Sequence, residues 1–171
     1  MMSEDKIKTL PEMRVLAERL RSSGKKLVFT NGCFDLLHLG HVRYLEDARS
    51  LGDLLIVGIN SDESVKKLKG PGRPLKSQME RAGILAALEA VDYVVVFEEE
   101  NPIRVISALK PDIHVKGGDY RADAIPEYSC VREYGGEVVI VPFLDGYSTS
   151  GFLEIIKRGL CGYPDNGQQP G

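Results

Sequence analysis

The chain has 171 residues and a mass of 18.9 kDa, with 22 basic and 25 acidic side chains and a formal charge of -3. That length suits one domain with a proper core, and the slightly acidic balance argues against nucleic acid as a partner. No apolar run is long enough to span a bilayer, residues 1–6 are polar without a signal-peptide core, and three cysteines (Cys33, Cys130 and Cys161) lack metal-type spacing; a reduced, cytoplasmic setting follows.

Residues 7–23 read as a helix. Thr9 and Glu12 are placed for a capping box, Pro11 fits a first turn, and Leu10, Met13, Leu16, Ala17 and Leu20 recur at helical spacing. Ser22, Ser23 and Gly24 end it. Lys26-Leu27-Val28-Phe29 reads as the end of a short buried strand, and Val42, Leu45, Ala48 and Leu51 return to helical spacing. Between them lies Thr30-Asn31-Gly32-Cys33-Phe34-Asp35-Leu36-Leu37-His38-Leu39-Gly40-His41, a strand-to-helix crossing. Open α/β sheets bind their ligands at such crossings, beyond the carboxyl ends of the strands. Gly32 and Gly40 let backbone approach a ligand closely. His38 and His41, three residues apart, share one face of the first helical turn. A helix start offers unpaired N–H groups and a positive dipole end, so two imidazoles there suit an anion, phosphate above all. Two plainer readings stand beside this one: a surface helix start, and a zinc site built from Asp35, His38 and His41. Cys33 reads as a small buried neighbour of the site rather than a nucleophile, because no base is placed to activate it.

Leu54-Leu55-Ile56-Val57-Gly58-Ile59 is a nearly continuous apolar run, as in a parallel strand covered on both faces. It runs into a loop at residues 60–64. Residues 66–76, basic and rich in glycine and proline, read as a mobile loop, either solvated or reaching for phosphate. Ser77 and Glu80 form a capping box for a helix to Ala90, with Ile84, Leu85, Ala87 and Leu88 turned inward. Arg81 sits in its first turn, where the dipole disfavours a cation; its partner is a bound phosphate or a carboxylate on another element. Tyr93-Val94-Val95-Val96-Phe97 is the third strand. Asn101 caps the next helix, with Pro102 at its first position, and Pro111 follows its end near Leu109. Ile113-His114-Val115 is a fourth strand running into Lys116-Gly117-Gly118-Asp119-Tyr120, where glycines again allow close approach. His114 alternates with apolar neighbours and reads as structural.

Residues 121–134 read as helical and 138–141 as the fifth strand. Ser148, Thr149 and Ser150 then precede Phe152, Ile155, Ile156 and Leu160 at helical spacing, a second anion cradle or a plain N-cap. Residues 161–171 read as a disordered tail. The alternation of strands and helices predicts an α/β fold, a single doubly wound domain on a five-stranded parallel sheet, with residues 1–24 as an N-terminal helical segment and residues 25–160 as the main domain.

The string from Asn31 to His41 resembles the H-x-G-H signature of the nucleotidyltransferases related to class I aminoacyl-tRNA synthetases, and at full length it resembles their cytidylyltransferase-like branch. The likeness runs from about Lys25 to Leu160. Leu68-Lys69-Gly70, Ala87-Leu88-Glu89-Ala90-Val91-Asp92, Val115 to Tyr120 and Asp145 to Ser150 narrow it to the adenylyltransferase half of bifunctional ADP-heptose synthases. That family's second signature is usually Ser-Thr-Thr; here Ser150 replaces the last threonine and keeps its hydroxyl. The resemblance implies a domain transferring AMP from ATP, with Mg2+, to D-glycero-D-manno-heptose 1-phosphate, giving ADP-heptose and pyrophosphate. It implies His38, His41 and Lys69 as catalytic, with Lys66, Lys67 and Arg73 as weaker matches to the phosphate-reaching lysine. It places Thr30, Asn31, Gly32, Cys33, Phe34, Gly40, Arg81, Lys116, Gly117, Asp119, Ser148, Thr149 and Ser150 around the nucleotide, Asp119 as a polar nucleotide or ribose contact, and no protein metal ligands. The resembling enzymes carry a sugar kinase half ahead of this one; none is read in this sequence, so a separate kinase is expected to supply the substrate, with a second copy of the chain as a further partner. Rival readings on the same scaffold are a glycerol-3-phosphate cytidylyltransferase, an FMN or pantetheine-phosphate adenylyltransferase, and a silent nucleotide-binding module.

Overall fold

Apolar runs bounded by polar turns build the strands. The computed structural model describes residues 2–119 and 121–142. Within them a parallel sheet of six strands forms in the order β1-β4-β3-β2-β5-β6. The strands are β1 (Ile7–Lys8), β2 (Leu27–Gly32), β3 (Leu54–Asn60), β4 (Tyr93–Phe97), β5 (Ile113–Gly117) and β6 (Glu137–Val141). The helices are α1 (Leu10–Ser22), α2 (Leu39–Ser50), α3 (Asp62–Lys69), α4 (Gln78–Ala86), α5 (Ile103–Leu109) and α6 (Tyr128–Glu133).

Successive side chains leave a strand on opposite faces, so β2 serves two cores. Leu27 and Phe29 join Met13 and Ala17 of α1, Val105, Ile106 and Leu109 of α5, and Val131 of α6. Val28 joins Tyr44, Leu45 and Ala48 of α2 and Ala82, Leu85 and Ala86 of α4. The chain order reverses beside β2, which pairs with β3 on one side and β5 on the other. Ligands of doubly wound folds bind at that switch point, and it lies at the strand-to-helix string containing both site histidines.

The sixth strand corrects the expected five. Ile7 and Lys8 pair with Val94 and Val95 of β4 instead of starting the helix. The capping box explains it: Thr9 Oγ1 accepts from Glu12 N at 3.4 Å, and Glu12 Oε2 accepts from Thr9 N at 2.8 Å. A residue in that role holds an extended backbone, so the helix opens at Leu10 and its predecessors stay straight. The basic stretch is also reassigned. Ser61 caps α3, accepting from Ser64 N, and Lys66, Lys67 and Lys69 form its last turn, where cations suit the dipole. In α4 the buried positions are Arg81, Ala82, Leu85 and Ala86; Ile84 and Ala87 face solvent. α5 opens one residue later than its sequence signal, with Pro102 as N-cap.

The amino end of the sheet is stapled by aspartates. Asp53 accepts from Lys26 N at 2.7 Å, Asp112 from Leu27 N at 2.7 Å, and Asp92 from Leu55 N at 2.8 Å. No helix among the described residues is long and apolar enough to cross a membrane.

Candidate active site

β2 delivers the chain to the switch point, and one glycine is demanded there. A Cβ on Gly32 would stand 2.9 Å from the Phe34 ring, tighter than packed atoms tolerate. Phe34 itself turns the chain with φ +46° and tucks its ring under the site. It meets the His41 ring, tilted, with centroids 5.3 Å apart. His38 is the N-cap of α2, its Nδ1 accepting weakly from His41 N at 3.4 Å. The two imidazoles stack with centroids 3.8 Å apart and planes 24° apart. Burial, with His38 adding to it, pushes the pKa of His41 down to about 4, and burial also lowers His38. Both rings are therefore neutral near pH 7, and act as hydrogen-bond donors rather than fixed cations until an anion arrives. His41 Nδ1 and Asn31 Oδ1 are buried without a hydrogen-bond partner among the described residues.

These groups edge a cavity of about 140 Å³ lined by Asn31, Gly32, Cys33, Phe34, His41, Tyr44, Lys116 and Gly117. It is large enough for a phosphate or a fragment of a nucleotide, not a whole one. A larger hollow of about 570 Å³ opens at the opposite, amino end around Arg21, Lys26, Asp112 and Tyr134. Size alone does not locate the site; the smaller cavity lies at the switch point and carries two unpartnered polar atoms, Asn31 Oδ1 and His41 Nδ1, against Tyr134 Oη in the larger hollow.

The structure gathers seven of the expected residues around one cavity and places others elsewhere. Asn31, Gly32, Cys33, Phe34, His41, Lys116 and Gly117 share the cavity. Gly40 is buried in the first turn of α2, and Asp119 is exposed just past β5. Lys69 is exposed at the end of α3. Burial pushes the Cys33 thiol up, and the opposing charges are Lys69, then Arg81 and Arg73, so Lys69 acts on this end of the sheet. A raised thiol makes a poor nucleophile, as the sequence suggests.

Thr30 does not line the cavity. It is wholly buried, and its hydroxyl lies 2.6 Å from Tyr44 Oη, which also donates to Val115 O at 3.2 Å. Burial pushes the Tyr44 hydroxyl up to about 12, so it stays a neutral crosspiece joining β2, α2 and β5 beneath the site. Arg81 takes a protein partner rather than an open position. It is fully buried; Nη1 donates to Cys33 O at 2.7 Å, Nη2 to Asp62 Oδ1 at 2.8 Å, and Nε to Lys76 O at 3.1 Å. Its place is to clamp the string before the histidines to α3 and to the loop ahead of α4. Asp35 turns away from the histidines. Its carboxylate pairs with Arg73 Nε at 2.6 Å and accepts from Leu75 N at 2.8 Å and Lys76 N at 3.1 Å, leaving the zinc reading without its acid. Ser148, Thr149, Ser150, the helix expected after them and residues 161–171 lie outside the described residues.

Sequence reasoning passed over Tyr44, Asp35 as a loop anchor, and Glu127. Tyr44 carried a signal, since it lies three residues after His41 on one helical face. Glu127 carried none: its partner, Lys116, is on another element.

Comparison with known proteins identifies the family and the fold. A family profile described as cytidylyltransferase-like matches residues 29–150. The bifunctional protein HldE of Pelobacter propionicus is 55% identical over 157 residues, covering 91% of this chain and 32% of the relative. The bifunctional protein HldE of Geotalea uraniireducens is 52% identical over 157 residues, covering 92% of this chain and 32% of the relative. The chain thus spans about a third of the length of these curated relatives, 32% in each. Among solved structures, the lipopolysaccharide core biosynthesis protein from Thermoplasma volcanium superposes with a TM-score of 0.60 at 30% identity, over 71% of this chain and 98% of that one. Pantoate-beta-alanine ligase from Francisella tularensis shares the fold, with a TM-score of 0.56 at 16% identity over 85% of this chain and 69% of that one.

Proposed function

The chain belongs to the cytidylyltransferase-like family, and from that premise we propose that it transfers AMP from ATP to D-glycero-D-manno-heptose 1-phosphate, releasing pyrophosphate and ADP-heptose. The observation that carries the reading is the stacked His38–His41 pair at the start of α2, of which His41 lines the switch-point cavity. The likeness to a lipopolysaccharide core biosynthesis protein supports a sugar phosphate as acceptor.

The chemistry asks for little acid–base work. A phosphomonoester with a second pKa near ~6 is mostly ionised at neutral pH, so its oxygen attacks without a general base. That oxygen bonds to the α-phosphorus of ATP, and the bond from the α-phosphorus to the bridging oxygen breaks, expelling pyrophosphate. The protein's tasks are to align two polyanions and to stabilise charge on the phosphates and the departing group. His38 and His41 donate N–H bonds to the reacting phosphates beside the N–H groups of the α2 start. Lys69 reaches the outer phosphates from the end of α3. Arg81 acts one step back, by holding Cys33 and the loop ahead of α4. Asp119, past β5, meets the ribose, and Ser148, Thr149 and Ser150 complete the phosphate cradle. Magnesium enters as part of the triphosphate substrate. The nearby carboxylates of Asp35 and Asp62 are engaged by Arg73 and Arg81, and the described residues hold no cluster of three or more acidic, histidine or cysteine side chains for a metal. A sugar kinase reaction must supply the acceptor phosphate, and the chemistry belongs in the cytoplasm, where ATP is available.

The test is pyrophosphate release with magnesium, each nucleoside triphosphate in turn, and heptose 1-phosphate, glycerol 3-phosphate, FMN or pantetheine phosphate. ADP-heptose should form fastest. Preference for CTP with glycerol 3-phosphate, or for ATP with FMN, would overturn the substrate while leaving the transfer chemistry; no release with any pair would leave only a nucleotide-binding module.

A further inference from the structure

Lys116 and Glu127 form a pair whose two halves lie in different surroundings. Lys116 stands at the end of β5 and lines the switch-point cavity. Its Nζ lies 3.0 Å from Glu127 Oε1, across the short connection between β5 and α6. The Glu127 side chain is 3% exposed, against 27% for that of Lys116. So a buried carboxylate outside the cavity grips an ammonium that borders it.

The surroundings of Glu127 make the grip one-sided. Glu127 Oε2 is buried without a hydrogen-bond partner among the described residues. His114 lies two residues before Lys116 on the same face of β5, wholly buried and stacked on Phe29 with centroids 5.7 Å apart. Neither of its ring nitrogens has a hydrogen-bond partner among the described residues, and burial keeps the ring neutral. Lys116 is thus the cation that pairs with this carboxylate. An exposed ion pair would let the lysine wander, but here leaving would strand a buried charge. One N–H of the ammonium is committed to Glu127; two remain, in directions that Glu127 sets.

We propose that Glu127 is a positioning residue for nucleotide binding, holding Lys116 so that its ammonium donates to an oxygen of the nucleotide in the switch-point cavity. The inference rests on the reading of that cavity as the nucleotide site, and adds a residue eleven positions from Lys116 that no sequence motif marks. The contact is made equally to substrate and transition state, so it acts on affinity and KM rather than on kcat.

Glu127→Gln keeps the shape and removes the charge. Calorimetric titration with ATP should show roughly fivefold to tenfold weaker binding, the loss of one charge-assisted hydrogen bond, with KM for ATP rising in step and kcat within about twofold. Lys116→Met should lose as much, and the double variant no more than Lys116→Met alone, because both act through one contact. Glu127→Gln binding ATP like the wild type, or losses that multiply in the double variant, would overturn the inference and leave the proposed reaction standing. A wild-type protein that binds no nucleoside triphosphate would overturn both. A second measurement needs no variant: ATP should slow acylation of Lys116 in the unaltered chain several-fold, read by mass spectrometry, and an unchanged rate would overturn the inference even if the variants failed to fold.

Discussion

At the amino end of the sheet, Asp53, Asp92 and Asp112 each close a strand start by accepting a backbone N–H at 2.7 to 2.8 Å. At the carboxyl end, the strands run out into Gly32 and Gly117, two neutral imidazoles stack, and His41 Nδ1 and Asn31 Oδ1 are buried without a hydrogen-bond partner among the described residues. One end has its strand starts matched by the chain, although Tyr134 Oη there is left unpartnered among the described residues; the other sets Asn31 Oδ1 and His41 Nδ1 against an open cavity. Buried polar groups left unmatched weaken the fold, so the pair that faces the switch-point cavity, Asn31 Oδ1 and His41 Nδ1, marks where a ligand repays that cost. The two ends should therefore respond to substitution in opposite ways.

The largest effect expected is at the carboxyl end. His38→Ala or His41→Ala should each remove about 3–4 kcal/mol of transition-state stabilisation, a loss of roughly 10²–10³ in turnover, as for an oxyanion donor. The urea midpoint should fall far less than turnover does, because the His38 cap bond is long at 3.4 Å and both histidines are only half-buried. Near-normal turnover in either variant would break the comparison at its functional end.

Between the ends sits His114, which should share the control of acid stability with His41, whose pKa burial lowers alike. Its pKa is pushed from 6.5 to about 4 by burial, although the Glu127 charge pulls it up. Between those values the unfolded chain binds a proton that the folded chain refuses, so stability falls as pH drops. The deficit approaches about 3 kcal/mol near pH 4, an upper figure for one buried group. His114→Leu should lessen, without abolishing, the loss of urea stability between about pH 7 and pH 4.5, because His41, lowered to a like value, keeps its own share. A slope equal to the wild type's would place the acid sensitivity elsewhere.

The amino end should show the reverse of the histidine result. Asp112→Ala strands Leu27 N and should cost about 2 kcal/mol in urea unfolding with kcat unchanged. A fall in kcat without loss of stability would show that the two ends are not separate.

A smaller effect sharpens the carboxyl end. If Lys69 meets the triphosphate as the loop after α3 settles, ATP should slow proteolysis within residues 70–76, with residues 66–69 resistant throughout because they are helical. Equal cleavage with and without ATP would leave that loop as plain surface.

How much of this was readable beforehand follows from the kind of signal each part carries. The strands β3 and β4 were plain, since buried parallel strands are written as unbroken Val and Ile runs. The histidine crossing was plain because strand, glycines and helix phase coincide. β1 was hidden because two residues cannot show a period, though Thr9 and Glu12 had already fixed where the helix could begin. α3 was read as loop because the lysines at its end drew attention from Ser61 and Ser64, its true start. Arg81 showed that it needed a partner, but only the folded chain could choose between phosphate and Asp62. Thr30 sits inside the string that carries the motif, and sequence adjacency does not say which side chain turns to the floor.

The most direct test uses the fact that the chain has three histidines, two at the proposed site and one in the core. Side-chain NMR should resolve their titrations with and without ATP and magnesium. An anion favours the charged imidazole, so ATP should shift the His38 and His41 signals and raise their midpoints from the lowered values of the empty site, while His114 stays neutral and unmoved. ATP bound with His38 and His41 unmoved would contradict the claim that this pair receives the phosphates.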